Sequence, residues 1–117
     1  MFNHPNLIIK FYKQPADLRF GIYRLQGYIS QNTHPSILKE GSLFLFMNKN
    51  KSLLKILWFD GTGFCLFSKR LESGTFCHPK PAIESPSLWL NLSPSALQLL
   101  LDGIDLKQGA KRAWYEV

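Results

Sequence analysis

The stretch from Leu53 to Phe59 is apolar on both of its faces. Because side chains alternate along a strand, Leu53, Leu57 and Phe59 fall on one side and Leu54, Ile56 and Trp58 on the other, with only Lys55 interrupting them. A strand of that kind cannot leave one face in water. Whatever sheet contains it needs cover on both sides, from helices or from a partner chain. Two further apolar runs flank it, residues 43–47 and 64–69. The connections are Asn48, Lys49, Asn50 and Lys51 on one side and Asp60, Gly61, Thr62 and Gly63 on the other. Both hold turn-forming residues and are short enough for hairpins. The three runs therefore predict an antiparallel meander, which residues 74–77 extend as a candidate fourth strand.

Cover for that sheet is also legible. Residues 7–12 are β-branched and aromatic and read as a first strand. Pro15 then suits a first helical position, and Asp17 the first turn, where the helix dipole favours negative charge. Leu18, Ile22, Leu25 and Ile29 recur at spacings of four, three and four, which predicts one helix over residues 15–30. Gly21 and Gly27 each weaken it by roughly 1 kcal/mol relative to alanine and point to close approach of another backbone. Residues 79–86 are proline-rich and polar and read as an exposed loop, followed by a short strand over 88–92. Ser93 is placed to cap a second helix with Pro94 at its first position, an apolar side of Leu97, Leu100, Leu101 and Ile104, and Gly103 to stop or kink it. The expected fold is α+β: a compact antiparallel meander of about four to five strands with two main helices.

At 117 residues, with 45% hydrophobic and 14% aromatic side chains, the chain has the material for one real core and does not read as disordered. We expect a single domain over 1–117, with 107–117 a loosely attached basic tail. Residues 1–10 lack the long apolar run of a secretory signal, and no stretch approaches the roughly 20 apolar residues of a membrane helix. A soluble, cytoplasmic protein is expected, with its two cysteines, Cys65 and Cys77, reduced and packed. Fourteen Lys and Arg against eight Asp and Glu leave a formal +6, an excess that suits a polyanionic partner.

Three segments resemble a known family. The first is Asp17, Leu18 and Arg19 with Gly21 and Leu25. The second runs from residues 43–46 through Lys55, Trp58, Phe59, Asp60, Gly61 and Gly63 to Lys69, Arg70, Leu71, Glu72, Gly74 and Phe76. The third is Leu92 and Ser93 with Leu97, Leu100, Leu101, Gly103, Ile104 and Asp105. Their order and content, over nearly the whole chain, are similar to the TnpB accessory proteins of insertion-sequence family sixty-six. (These are distinct from the RNA-guided nucleases that share the name.) The resemblance implies a role in transposition beside a separately encoded transposase, and it implies no chemical activity.

The residues themselves point away from catalysis. A nuclease needs carboxylates converging on metal ions. The candidates Asp17, Asp60 and Glu72 read instead as a helix start, a hairpin turn and a partner for Lys69 or Arg70. No zinc-ligand spacing is present: Cys77 and His78 are adjacent, Cys65 is distant, and His4 and His34 each precede a proline. Gly61, Thr62 and Gly63 lack the lysine and following helix of a phosphate loop. No catalytic residue, metal or cofactor is expected.

Binding is what remains. Arg19, Lys55, Lys69 and Arg70 alternate with Trp58, Phe59, Phe64 and Phe67, and Lys107, Lys111 and Arg112 stand beside Trp114 and Tyr115 in the tail. Cations neutralise phosphate and rings stack on bases; the plainer reading is that the rings are core and the cations flank it. One hypothesis is a factor that binds DNA at element ends. The other is a protein-interaction or dimerisation module that engages the transposase. If Lys55, Lys69 and Arg70 share one exposed face, DNA is favoured; if they scatter and the exposed face is apolar, a protein partner is.

Overall fold

The structure, a computed structural model, describes residues 7–19, 21–32, 41–81 and 83–103. In chain order the elements are β1 (Ile8–Tyr12), α1 (Ile22–Asn32), β2 (Ser42–Met47), β3 (Leu53–Phe59), β4 (Phe64–Arg70), β5 (Trp89–Leu92) and α2 (Pro94–Asp102). The five strands form one sheet in the order β4-β3-β2-β1-β5. The fold class is α+β, as the sequence predicts.

The two hairpins form where the turn residues place them. In the first, Asn48 Oδ1 accepts the backbone N–H groups of Ser52 and Leu53 at 2.9 and 3.1 Å, and Lys51 takes a left-handed φ of 59°. In the second, Asp60 Oδ1 accepts from the backbone of Thr62 and of Gly63, each at 2.8 Å, and Gly61 takes a φ of 101° that suits glycine. β2, β3 and β4 are thus the expected meander. β1 breaks it. It lies between β2 and β5, parallel to β2 and antiparallel to β5, so the sheet is mixed. The reason is the connection: α1 lies between β1 and β2 in the chain, and a helical crossover returns a strand parallel to the one before it. Residues 74–77 add no strand. Phe76 instead donates its N–H to the Lys51 carbonyl at 2.7 Å and buries its ring.

The doubly apolar strands are covered on both sides by the chain itself. On one face Phe44, Phe46 and Leu57 pack against Ala16, Leu18, Leu25 and Ile29, under α1 and the segment before it. On the other, Leu43, Leu45, Met47, Leu54 and Ile56 pack against Phe76, Leu97 and Leu100, under α2 and the segment after β4. The register shows how: Leu45 faces Ile56 and Met47 faces Leu54 on the α2 side, while Phe44 faces Leu57 on the α1 side.

α2 begins and ends as its caps dictate. Ser93 Oγ accepts the Ala96 N–H at 3.1 Å, Pro94 follows, and Gly103 closes the helix at φ 62° with its N–H on the Leu100 carbonyl. α1 is shorter than the apolar spacing predicts. Leu18 belongs to its buried stripe in space but not to the helix. Ala16 donates to the Met47 carbonyl at 3.0 Å and Asp17 Oδ1 accepts the Arg19 N–H at 3.1 Å, bonds that hold residues 16–19 in a non-helical path. Gly21 then supplies the first helical carbonyl, to Arg24 and Leu25. The close approach of another backbone expected at Gly21 and Gly27 is not found among the described residues: none lies within 4 Å of a Cβ built on either.

Candidate nucleic-acid interface

Lys55 and Arg70 lie on the α1 side of the sheet, opposite Ser68 and Leu53 in the register; Lys69 lies on the α2 side, opposite Leu54. The three do not share a face, and neither face of the sheet is a bare apolar one. Two of them are committed inside the fold. The Lys55 stem passes under residues 16–19 and its Nζ donates to the Leu18 carbonyl at 2.8 Å. Lys69 Nζ donates to the Leu101 carbonyl at 2.6 Å, in the last turn of α2, where unpaired carbonyls and the helix dipole favour a cation. Both side chains are half-buried.

Arg70 and Arg19 behave differently. Arg70 ends β4 exposed. Arg19 holds Asp17 in a bidentate pair, Nε to Oδ1 at 2.9 Å and Nη2 to Oδ2 at 2.7 Å, with its side chain 83% exposed. Hydrogen bonds from the Arg19 guanidinium and backbone, then the charges of Arg19 and Arg24, hold the Asp17 carboxyl at about 2, well below its usual 3.8. The field of Arg24, in the first turn of α1, thus reaches this pair.

These residues meet at an open depression of about 370 Å³. Its walls are residues 16–19, the first hairpin turn with Asn48, Lys49 and Asn50, and Leu53 and Arg70 from the paired ends of β3 and β4. Three cations (Arg19, Lys49 and Arg70) against the one carboxylate of Asp17 leave its lining at a formal +2. Lys49 and the two asparagines were visible in sequence only as a turn. What brings them here is the β2–β3 hairpin, which folds its tip toward the segment that Ala16 pins to Met47. Lys107, Lys111 and Arg112 lie outside the described residues.

The remaining motif residues build the fold. The Asp60 carboxylate accepts from the Thr62 and Gly63 backbone and then the Thr62 hydroxyl, which lowers its carboxyl to about 2. Gly61 and Gly63 shape the same turn. Burial and then the neighbouring Asp60 raise the Cys65 thiol, whose Sγ donates to Asp60 Oδ2 at 3.5 Å. Trp58 is half-buried against the α2 core. A Cβ on Gly103 would come within 3.0 Å of both Leu71 methyls, so these two motif positions, distant in sequence, are one contact. Glu72 is exposed. His78 spans two backbone carbonyls, Pro79 at 3.0 Å and Lys13 at 3.2 Å, with its ring edge-on to Phe11. Cys65 and Cys77 form no disulfide. Among the described residues no three of His, Cys, Asp and Glu gather as a metal site would require, and no helix is long and apolar enough to cross a membrane.

The comparisons with known proteins agree with the motifs. The family described as IS66 Orf2-like protein matches residues 8–111. Two similar proteins of Sinorhizobium fredii (strain NBRC 101917 / NGR234) bear the names uncharacterized protein y4hO and uncharacterized protein y4jC. The first is 46% identical over 66 residues, 56% of this chain and 54% of that protein, so the chain matches about half of its length. The second is 33% identical over 95 residues, 79% of this chain and 74% of that protein. No solved structure matches.

Proposed function

The chain belongs to the IS66 Orf2-like family, and from that premise we propose that it is a non-catalytic accessory protein of transposition that binds DNA through the α1 side of its sheet. The observation that carries this reading is the ring of Arg19, Lys49 and Arg70 around one open depression. Phosphate oxygens would meet the guanidinium groups, with the Asn48 and Asn50 amides beside them as neutral donors. Arg19 is pre-oriented by its bidentate grip on Asp17, so holding it toward a phosphate costs less side-chain entropy. Lys55 and Lys69, whose ammonium groups already sit on backbone carbonyls, contribute to the fold rather than to this contact. The carboxylates of Asp17 and Asp60 are each engaged by local donors, which supports a role without chemistry.

The test is a titration of a duplex of fixed sequence across a salt series. Three phosphate contacts predict a log–log salt slope of roughly −3, and Arg70→Ala should flatten it by about one unit while weakening binding. Folded protein that binds no duplex at low salt would overturn the reading. Docking of the transposase would then take its place. That alternative has its own observation: β4 ends the sheet with Phe64, Leu66 and Phe67 half-buried and no strand beyond it among the described residues. Retention of the transposase by folded protein that ignores DNA would establish it.

A further inference from the structure

The outer face of α1 carries a second, distinct arrangement. Leu25 and Ile29 point into the core, fully buried. On the opposite side Tyr23, Gly27 and Gln31 follow one another at intervals of four, with Arg24 and Tyr28 alongside, around a shallow depression of about 310 Å³. Tyr23 is 90% exposed. Gly27 sits mid-helix, where glycine weakens a helix relative to alanine, and nothing within the described chain lies within 4 Å of the place its Cβ would occupy. Among the described residues no packing calls for a glycine there. An outer partner that approaches the helix backbone closely would call for one.

The chemistry of this face suits nucleic acid. α1 contains no acidic residue, and its one charge is Arg24. Tyr23 and the half-buried Tyr28 supply the large rings of this depression, and Arg24, Gly27 and Gln31 complete a mainly polar lining, unlike the apolar centre of a protein interface. Arg24, after Arg19, helps to lower the Asp17 carboxyl, so it lies near the basic depression. The first residue of α1 follows Arg19 by three positions. The depression and the helix face are therefore close neighbours along the chain.

We propose that α1 is a DNA-reading helix: Tyr23, Arg24, Gly27 and Gln31 enter the major groove while the depression holds flanking phosphates. The proposal rests on the DNA-binding reading above and adds sequence preference to it. The major groove admits an α-helix; arginine, with two N–H donors, reads the O6 and N7 acceptors of guanine, and glutamine, with one donor and one acceptor, reads N7 and N6 of adenine. Eleven residues of helix span roughly 16 Å, the length of about four to five base pairs. Gly27 lets the groove wall approach the helix axis.

The experiment is selection from a pool of duplexes randomised over about 16 base pairs, followed by binding of the enriched duplex and a scrambled one. Wild-type protein is expected to enrich a motif of about four base pairs and to prefer it tenfold or more. Gln31→Ala, which changes no charge, should reduce that ratio toward one. Gly27→Ala should do the same while raising the melting temperature, a combination that a merely structural glycine would not produce. Arg70→Ala should weaken both duplexes and leave the ratio in place. No enriched motif, or a ratio that survives both α1 variants, overturns the reading helix and leaves the phosphate contacts standing. Failure to bind any duplex overturns both.

Discussion

The two sides of the sheet are built from similar apolar material and use their charges in opposite ways. On the α2 side the chain spends its polar groups on itself. Lys69 sits on the last turn of α2, Ser93 caps its first, and Gly103 ends it beneath Leu71. On the α1 side Lys55 is similarly committed, but Arg19, Lys49 and Arg70 ring an open depression and Tyr23, Arg24 and Gln31 face outward from the helix. Lys69 and Arg70 show the difference most sharply. They are neighbours in the chain, their side chains leave β4 on opposite faces, and one reaches a helix end while the other reaches solvent. A lysine–arginine pair in a sequence is therefore not one feature. In a strand it is two, divided by the pleat.

If the α2 side serves stability and the α1 side binding, substitutions should separate the two. The largest effect is expected at Leu100, fully buried beneath α2. Leu100→Ala should cost about 3 kcal/mol of unfolding free energy in a urea titration, with the DNA affinity of the remaining folded protein unchanged. Gly103→Ala comes next. Its left-handed φ of 62° and the contact with Leu71 predict a loss of about 1–2 kcal/mol, again without effect on binding. Lys69→Met keeps the aliphatic stem and removes the charge from the end of α2; about 1 kcal/mol of stability should go with it. Arg70→Met should leave stability within about 0.5 kcal/mol and weaken duplex binding several-fold. Equal loss of binding in both would break the division between the sides.

The smallest effect is a pH dependence. The Asp60 carboxyl is held at about 2 against its usual 3.8 by the backbone of Thr62 and Gly63. A lowered native value means stability that is complete above about pH 4 and lost as pH falls through about 2. Asp60→Asn keeps a turn-forming side chain and removes the titration. Its urea midpoint should fall less between those limits than that of the wild type. An identical fall in both would show that the turn carries no such linkage.

How much of this was legible depends on the distance over which each interaction acts. The hairpins rest on bonds four or five residues long, such as Asn48 to Ser52 and Leu53, and the caps of α2 on bonds three residues long. Those appear in the sequence as residue types at short spacing. Local signals misplace the start of α1 because Pro15 and Asp17 are good helix openers in isolation, and the bond that overrides them, Ala16 to Met47, spans the crossover. The meander failed at β1 for a related reason. Turn chemistry identifies adjacent strands, and β1 reaches β2 through a helix. The helix between two strands was itself a cue to parallel pairing.

The candidate site divides in the same way. By type and spacing Arg19, Lys55, Lys69 and Arg70 look alike, and nothing local tells which of them hold a backbone carbonyl. The partners of Lys55 and Lys69 lie 37 and 32 residues away. Lys49 was hidden as a turn residue until the hairpin carried it to Arg19 and Arg70.

Alternating apolar side chains, turn residues and caps, each acting within a few positions, determined the strands, both hairpins, α2 and the need for cover on both faces. Only the tertiary structure decided where β1 joins, where α1 begins, and which cations are spent on carbonyls and which stand at the surface. Those outcomes depend on which distant backbone groups come within about 3 Å of a side chain, and no local pattern of residues encodes that.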